Sequence, residues 1–273
     1  MKKPTTAPRR PRPNEPPLPV RDLDGMLKRL HLPTVRRLYG ELAPRAEAEG
    51  MSYRTYLELL VAEEIAHRAE TRVTRAVRAA RFPFLRTIED FNFTFQTALR
   101  LQMLGSYLGP ELVTEGKNAI LSGPSGTGKT HLCIAIAYRA IQHGYDARFV
   151  SADALIGHLS HAAAKGRLEL ALEPVLHPHV LIIDELGYLS HATDAANGLY
   201  RVVNERYLKH RPILLTTNKP LAALGDVLHD GDLAEAILDR LLERGAHFAL
   251  RGRSYRTKHL TEEESTSRRA KSA

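Results

Sequence analysis

The stretch Gly123-Pro124-Ser125-Gly126-Thr127-Gly128-Lys129-Thr130 limits what this chain can fold into more than any other. Apolar Ala119-Ile120-Leu121 precedes it, and the helical pattern Leu132-Cys133-Ile134-Ala135-Ile136-Ala137 follows. A G-x-x-x-x-G-K-[ST] loop thus stands between a strand and a helix, the context its chemistry needs. Its glycines let the backbone curl until successive N–H groups face one concavity at the positive end of the helix, which suits a phosphate chain. In this reading Gly123 through His131 line a nucleotide, Lys129 reaches its β- and γ-phosphates, and the Thr130 hydroxyl sits on Mg²⁺. An ordinary glycine-rich turn would explain the loop but not both of its flanks.

Downstream, strand and helix patterns alternate. Ala147 to Val150, Val180 to Asp184 and Pro212 to Asn218 read as strands, and 152–164 and 198–209 as helices. Continuous apolar runs between helices predict an α/β fold, with a parallel sheet covered by helices on both faces. Ligands of such sheets lie beyond the carboxyl ends of the strands, where Gly123, Asp184 and Asn218 all fall. Asp184 and Glu185 are adjacent carboxylates at a strand end, an arrangement that is costly unless a cation faces them. Mg²⁺ held partly by Asp184, with Glu185 turned toward an attacking water, answers that cost; a helix cap is the plainer alternative. Asn218 could hold the water or read the γ-phosphate, or simply occupy a turn before Lys219-Pro220. No aspartate follows Asn-Lys-x, so adenine is expected rather than guanine. Arg240, on a helix, and Arg256, in an extended segment, are candidates to stabilise charge on a departing γ-phosphate, with surface salt bridges as the alternative. His177-Pro178-His179 lacks the companion ligands of a metal site, and no metal besides Mg²⁺ is expected.

The remainder of the 273 residues supplies a smaller module. Residues 1–20 are rich in proline and basic side chains and are expected to be a disordered tail, as are 261–273. Residues 21–82 are expected to form a helical N-terminal domain: Leu23, Met26, Leu27 and Leu30, then Val35, Leu38, Tyr39 and Leu42, then Tyr53 onward recur at helical spacing, with Ser52 as an N-cap. Arg68, Arg72, Arg75, Arg78 and Arg81 follow at spacings of three and four. Such a run is often a solvated face, but the net charge of +8 turns the expectation toward the phosphates of DNA. Pro83 ends that helix. Residues 83–110 read as a linker whose aromatics, Phe91, Phe93 and Phe95, either anchor it or pack near adenine, with a helix from Gln96 to Leu108; the ATPase core is expected over 111–260. No apolar run approaches the roughly 20 residues of a spanning helix, so no membrane partner is expected. The basic N-terminus develops no apolar segment and Cys133 stands alone, which together predict a cytoplasmic, reducing setting.

With these residues in view, the chain resembles the IstB-like ATP-binding proteins, AAA+ helpers of insertion-sequence transposases, and more distantly the DnaC-type helicase loaders. The resemblance is carried by SGPSGTGKTHL at 122–132, LIIDELGYL at 181–189, LLTTN at 214–218, AILDRLL at 236–242, GRSYR at 252–256 and RAARFPFLRTIEDFNF at 78–93. It implies an AAA+ P-loop NTPase in which Lys129 and Thr130 are Walker A, Asp184 and Glu185 Walker B, Asn218 sensor 1, Arg240 a trans-acting arginine finger and Arg256 the sensor 2 arginine. It also implies a bacterial protein that binds ATP, forms oligomers on double-stranded DNA and assists a DDE-type transposase through its N-terminal region. Two features depart from the family pattern: no tryptophan follows Pro220, and Glu243-Arg244 stands where a histidine is common. Three alternatives remain: a replicative helicase loader, a DNA-binding scaffold whose nucleotide is never turned over, and a small-molecule kinase, in which Glu185 and the basic helix have no natural role.

Overall fold

The computed structural model describes residues 22–187, 195–252 and 254–255. The two expected tails, 1–20 and 261–273, lie outside them. The described residues divide into two compact units, one up to Thr71 and one from Arg72 onward.

The first unit follows the helical spacing of its sequence. Its helices are α1 (Leu23–Arg29), α2 (Pro33–Ala48) and the opening turns of α3 (Tyr53–Ala80). Asp22 caps α1 by accepting from the Gly25 N–H at 3.0 Å, and the Ser52 hydroxyl accepts from the Thr55 N–H at 3.1 Å, as an N-cap should. Leu27, Val35 and Leu60 form the small core, with Leu38, Tyr39, Leu42 and Tyr56 around them. Glu64 is also buried. Its carboxylate accepts from the Thr34 and Val35 N–H groups at 2.8 and 3.1 Å, an anion at the positive end of α2, and pairs with Arg68 at 2.8 Å.

The second unit is built on an all-parallel sheet of order β2-β3-β4-β1-β5, comprising β1 (Asn118–Ser122), β2 (Ala147–Ser151), β3 (Val180–Asp184), β4 (Ile213–Thr217) and β5 (Gly245–Ala249). The apolar runs of β1, β3 and β4 divide their side chains between two cores. Ala119, Leu121, Val180, Ile182 and Leu214 face α6 (Lys129–Gln142) and the last turns of α3, which contribute Val73, Ala76, Val77 and Ala80. Ile120, Leu181, Ile183, Ile213 and Leu215 face α7 (Ala152–Ala164), α8 (Leu168–Leu176), α9 (Ala195–Leu208), α10 (Leu224–Leu228) and α11 (Gly231–Glu243). Burial on both faces is why these strands read as unbroken apolar runs. α3 stops at Ala80, with Arg81 at φ 56°, two residues before Pro83.

One expectation is corrected. The helix expected from Gln96 to Leu108 is absent; the segment holds a 3₁₀ turn, Leu101–Leu104, and a single helical turn, α4 (Gly105–Leu108). Tertiary contacts outweigh the local pattern: the Asn92 side chain accepts from the Phe95 N–H at 2.8 Å, and buried Gln96 donates to the Thr127 carbonyl at 3.3 Å.

Arg206 of α9 has no accessible surface. Its guanidinium donates to four carbonyls: Val175 at 2.7 Å, Pro178 at 3.0 Å, His179 at 2.7 Å and Pro212 at 2.9 Å. Arg211 adds bonds to the Leu176 and His177 carbonyls. Two cations thus close the negative end of α8 and fix the amino ends of β3 and β4, whose carboxyl ends carry the candidate site.

Candidate active site

The loop after β1 needs glycine where its backbone turns. Gly123 has φ 141°, and a Cβ there would stand 2.2 Å from the Leu250 carbonyl oxygen; Gly128 has φ 97° and lies against the Phe91 ring, 2.6 Å from such a Cβ. Lys129, the first residue of α6, is 8 % exposed, and its Nζ donates to the Gly123 and Pro124 carbonyls at 2.7 and 2.8 Å. The Thr127 hydroxyl donates to the same Pro124 carbonyl at 2.8 Å. Pro124 and Ser125 are exposed at the tip of the loop. Tyr255 closes over the loop by donating its N–H to the Gly126 carbonyl at 3.0 Å.

His131 turns aside from the loop. Its Nε2 lies 2.9 Å from the Thr87 carbonyl, which can only accept, so Nε2 carries the proton. Burial holds this imidazole below its ordinary pKa. Its ring meets Phe91 edge-on with centroids 5.2 Å apart. Phe91 and Phe93 pack on the core, so these two aromatics anchor the linker; Phe95 is more open and pairs edge-on with Tyr255 at 5.2 Å.

Three strand ends meet in front of α6. Thr130 donates its hydroxyl to the Asp184 carboxylate, 2.9 Å from Oδ1 and 3.2 Å from Oδ2. The Thr216 hydroxyl donates to Asp184 Oδ1 at 2.6 Å and accepts from the Glu185 N–H at 2.8 Å. Asp184 is buried, whereas Glu185 is exposed and held at φ 61°, a left-handed conformation unusual for a side-chain-bearing residue. Asn218 sits just past β4 and is exposed, its Oδ1 only 2.2 Å from where a Gly187 Cβ would stand, so its amide lies against the turn after Asp184-Glu185. The oxygen donors offered here, one carboxylate and a hydroxyl, fit Mg²⁺, which takes few protein ligands and keeps substrate phosphates and waters for the rest. No cluster of three or more His, Cys, Asp or Glu suited to another metal occurs among the described residues. Cys133 is fully buried, and burial, with the Asp184 charge, pushes its thiol well above its ordinary pKa, as fits a core residue.

Residues 25–263 match the model of the family described as "IstB-like ATP binding protein". The chain belongs to this family. Among its relatives, the "Insertion sequence IS5376 putative ATP-binding protein" of Geobacillus stearothermophilus is 37% identical over 86% of this chain and 94% of its own length. The "Insertion sequence IS21 putative ATP-binding protein" of Pseudomonas aeruginosa is 35% identical over 88% and 90%. Among solved structures, a "DNA replication initiation factor" aligns with TM-score 0.53 at 24% identity over 67% of this chain and 56% of that one, and DnaI with 0.53 at 20% over 64% and 93%. These likenesses establish the fold alone, a parallel five-stranded sheet covered by helices.

Of the other predicted residues of this IstB-like chain, Arg240 lies away from the loop. Arg240 of α11 is half-buried on α9: Nε donates to Asn204 Oδ1 at 3.0 Å, Nη2 to the Tyr200 hydroxyl at 3.1 Å and Nη1 to the Ala236 carbonyl at 2.9 Å, with the Tyr200 ring 4.9 Å below. Its own carbonyl accepts from Asn118 at 3.5 Å, at the amino end of β1, the end opposite the phosphate loop. Arg256 lies outside the described residues. In the first unit, Arg68 pairs with Glu64 and donates to the His31 carbonyl. In the second, Arg72 reaches the Gln142 carbonyl at 3.5 Å, while Arg75, Arg78 and Arg81 are exposed. Arg148 of β2 joins them by donating to the Ala79 carbonyl at 3.5 Å, and burial, with the Arg81 charge, lowers its pKa. Sequence reasoning missed Thr216, Gly187, Arg148 and Arg206. No helix among the described residues is long and apolar enough to cross a membrane.

Proposed function

We propose that this protein is an ATP- and Mg²⁺-dependent ATPase that oligomerises on duplex DNA and assists a DDE-type transposase. One observation carries the reading: Thr130, at the amino end of α6, bonds to Asp184, at the carboxyl end of β3, with Glu185 exposed beside them. The names of the relatives, ATP-binding proteins of insertion sequences, support transposition as the setting.

In this reading the loop from Gly123 to Thr130 receives the triphosphate and Lys129 neutralises its outer phosphates. Mg²⁺, held by Thr130 and Asp184, supplies charge neutralisation at the phosphate being transferred. Glu185 takes a proton from the attacking water and Asn218 orients that water or the γ-phosphate. Arg256 senses the same phosphate. Arg240 sits at the far end of β1 from its own loop, which favours service to a neighbour's nucleotide. An arginine supplied in this way stabilises charge as the bond breaks. The N-terminal helical region meets the transposase, and Arg75, Arg78, Arg81 and Arg148 contact DNA phosphates, which position a protein without reading sequence.

The test is subunit mixing. Glu185→Gln and Arg240→Ala proteins should each be nearly inactive alone, and mixing them on duplex DNA should restore turnover, because some interfaces then pair an intact Glu185 with an intact Arg240. Mixtures that stay inactive with DNA present refute the trans arrangement.

A further inference from the structure

We infer that Thr216 is a positioning residue for hydrolysis, its hydroxyl setting both the carboxylate of Asp184 and the backbone that aims Glu185. The inference rests on the reading of this site as a nucleotide-hydrolysing centre. Thr216 has no accessible surface, and its single hydroxyl works in both directions: the O–H donates to Asp184 Oδ1 at 2.6 Å and the oxygen accepts from the Glu185 N–H at 2.8 Å. Its backbone carbonyl accepts from the Leu186 N–H at 2.9 Å, so the turn leaving β3 hangs from this one residue of β4 by three bonds.

These bonds fall where the backbone needs support. The aligned residues of β3 and β4 end at Ile183 and Leu215, so Asp184 keeps its ladder partner on β2 alone and from Glu185 onward the chain leaves the strand. Glu185 then takes φ 61°, a conformation that costs a non-glycine residue roughly 1–3 kcal/mol and persists where the surroundings over-determine it. The Thr216 hydroxyl is the side-chain group that does so. It also sets the rotation of Asp184 from one side while Thr130 grips the carboxylate from the other. A carboxylate that is to meet a cation at fixed geometry depends on such partners, whose loss typically costs 10- to 100-fold in affinity or activity. Gly187, against the Asn218 amide, follows two residues later, so the same bonds also bear on where Asn218 lies.

The experiment compares wild type, Thr216→Val and Thr216→Ser. Valine keeps the branched shape and removes both polar functions; serine keeps the hydroxyl. Turnover is measured with DNA present, affinity with a fluorescent ATP analogue, and hydrogen exchange on a peptide containing Glu185 and Leu186 in nucleotide-free protein. Thr216→Val is expected to lose about 10- to 100-fold in kcat, to bind the analogue within about threefold of wild type, because the loop and Lys129 are untouched, and to exchange faster at that peptide. Thr216→Ser should restore kcat and protection. Should the valine protein not fold, Thr216→Cys, with its weak donor, replaces it. Wild-type turnover in Thr216→Val overturns the inference and leaves the site reading standing. So does parallel loss of affinity, melting temperature and kcat that serine fails to rescue. Wild-type protein that takes up no ATP overturns the site reading, and the inference with it.

Discussion

Replacing Arg206 by methionine should remove much of the stability of the second unit without touching a residue of the candidate site. The methionine stem refills most of the volume, so the loss lies in the polar bonds. Pro212 keeps its bond from the Leu181 N–H at 3.1 Å, which leaves the Val175, Pro178 and His179 carbonyls to bear the change. At about 1–1.5 kcal/mol for each buried acceptor left without its donor, the loss is about 3–5 kcal/mol. Domains have only about 5–15 kcal/mol to lose. For a unit of this size the melting temperature should fall by roughly 10 °C. Arg206→Lys should recover only part, because an ammonium presents its donors from one point and cannot span carbonyls of α8, of the following loop and of Pro212 just before β4. Circular dichroism melts of the three proteins test this. A methionine variant melting within about 2 °C of wild type would refute the reasoning that this cation holds the sheet's amino edge together.

Gly187→Ala should place a Cβ 2.2 Å from Asn218 Oδ1 and displace that amide; steady-state kinetics should show turnover down about 10- to 100-fold with nucleotide affinity kept. Arg75, Arg78 and Arg81 replaced together by glutamine should weaken duplex binding and lower the slope of log affinity against log salt by about 2–3; a slope unchanged from wild type removes these residues from the interface. His131 and His247 are both held below the ordinary imidazole pKa by burial. The unfolded chain therefore takes up protons first, so stability should fall as pH drops below about 6.5 and level off under the folded pKa. His131→Gln should flatten that fall in melts between about pH 7.5 and pH 5, and parallel curves for the two proteins would exclude the His131 share.

The phosphate loop and the strands β1, β3 and β4 were legible because their signals are local: an apolar run, then glycines, an acid or an amide. β5 was not. Gly245-Ala246-His247-Phe248-Ala249 buries one side chain well, Phe248, and becomes a strand by pairing with β1 from Asn118 to Ser122, a partner more than a hundred residues away. α8 carries a proline inside it and gains its closed end from two arginines that come later in the chain. In the site, Thr130 meets Asp184 as the motif spacing implies, but Thr216 looked like an ordinary strand threonine, a type common in sheets for its shape alone.

Yet a signal for two of the missed residues, Arg206 and Thr216, existed. Leu199, Val202, Val203 and Arg206 fall on one face of α9, as Tyr56, Leu60 and Glu64 do on α3, and Thr216 continues the face of Leu214 on β4. A polar group in the apolar phase of its element must find partners when it is buried, or its element does not form. Each of these three found them at a chain end: Glu64 at the start of α2, Arg206 at the end of α8, and Thr216 at the turn after β3. Backbone groups are left over at such ends, so one buried side chain can satisfy several and fix where two elements meet. Of the three, only Thr216 does this beside the carboxylates, and there the bonds that complete the fold also hold Asp184 and Glu185 in place.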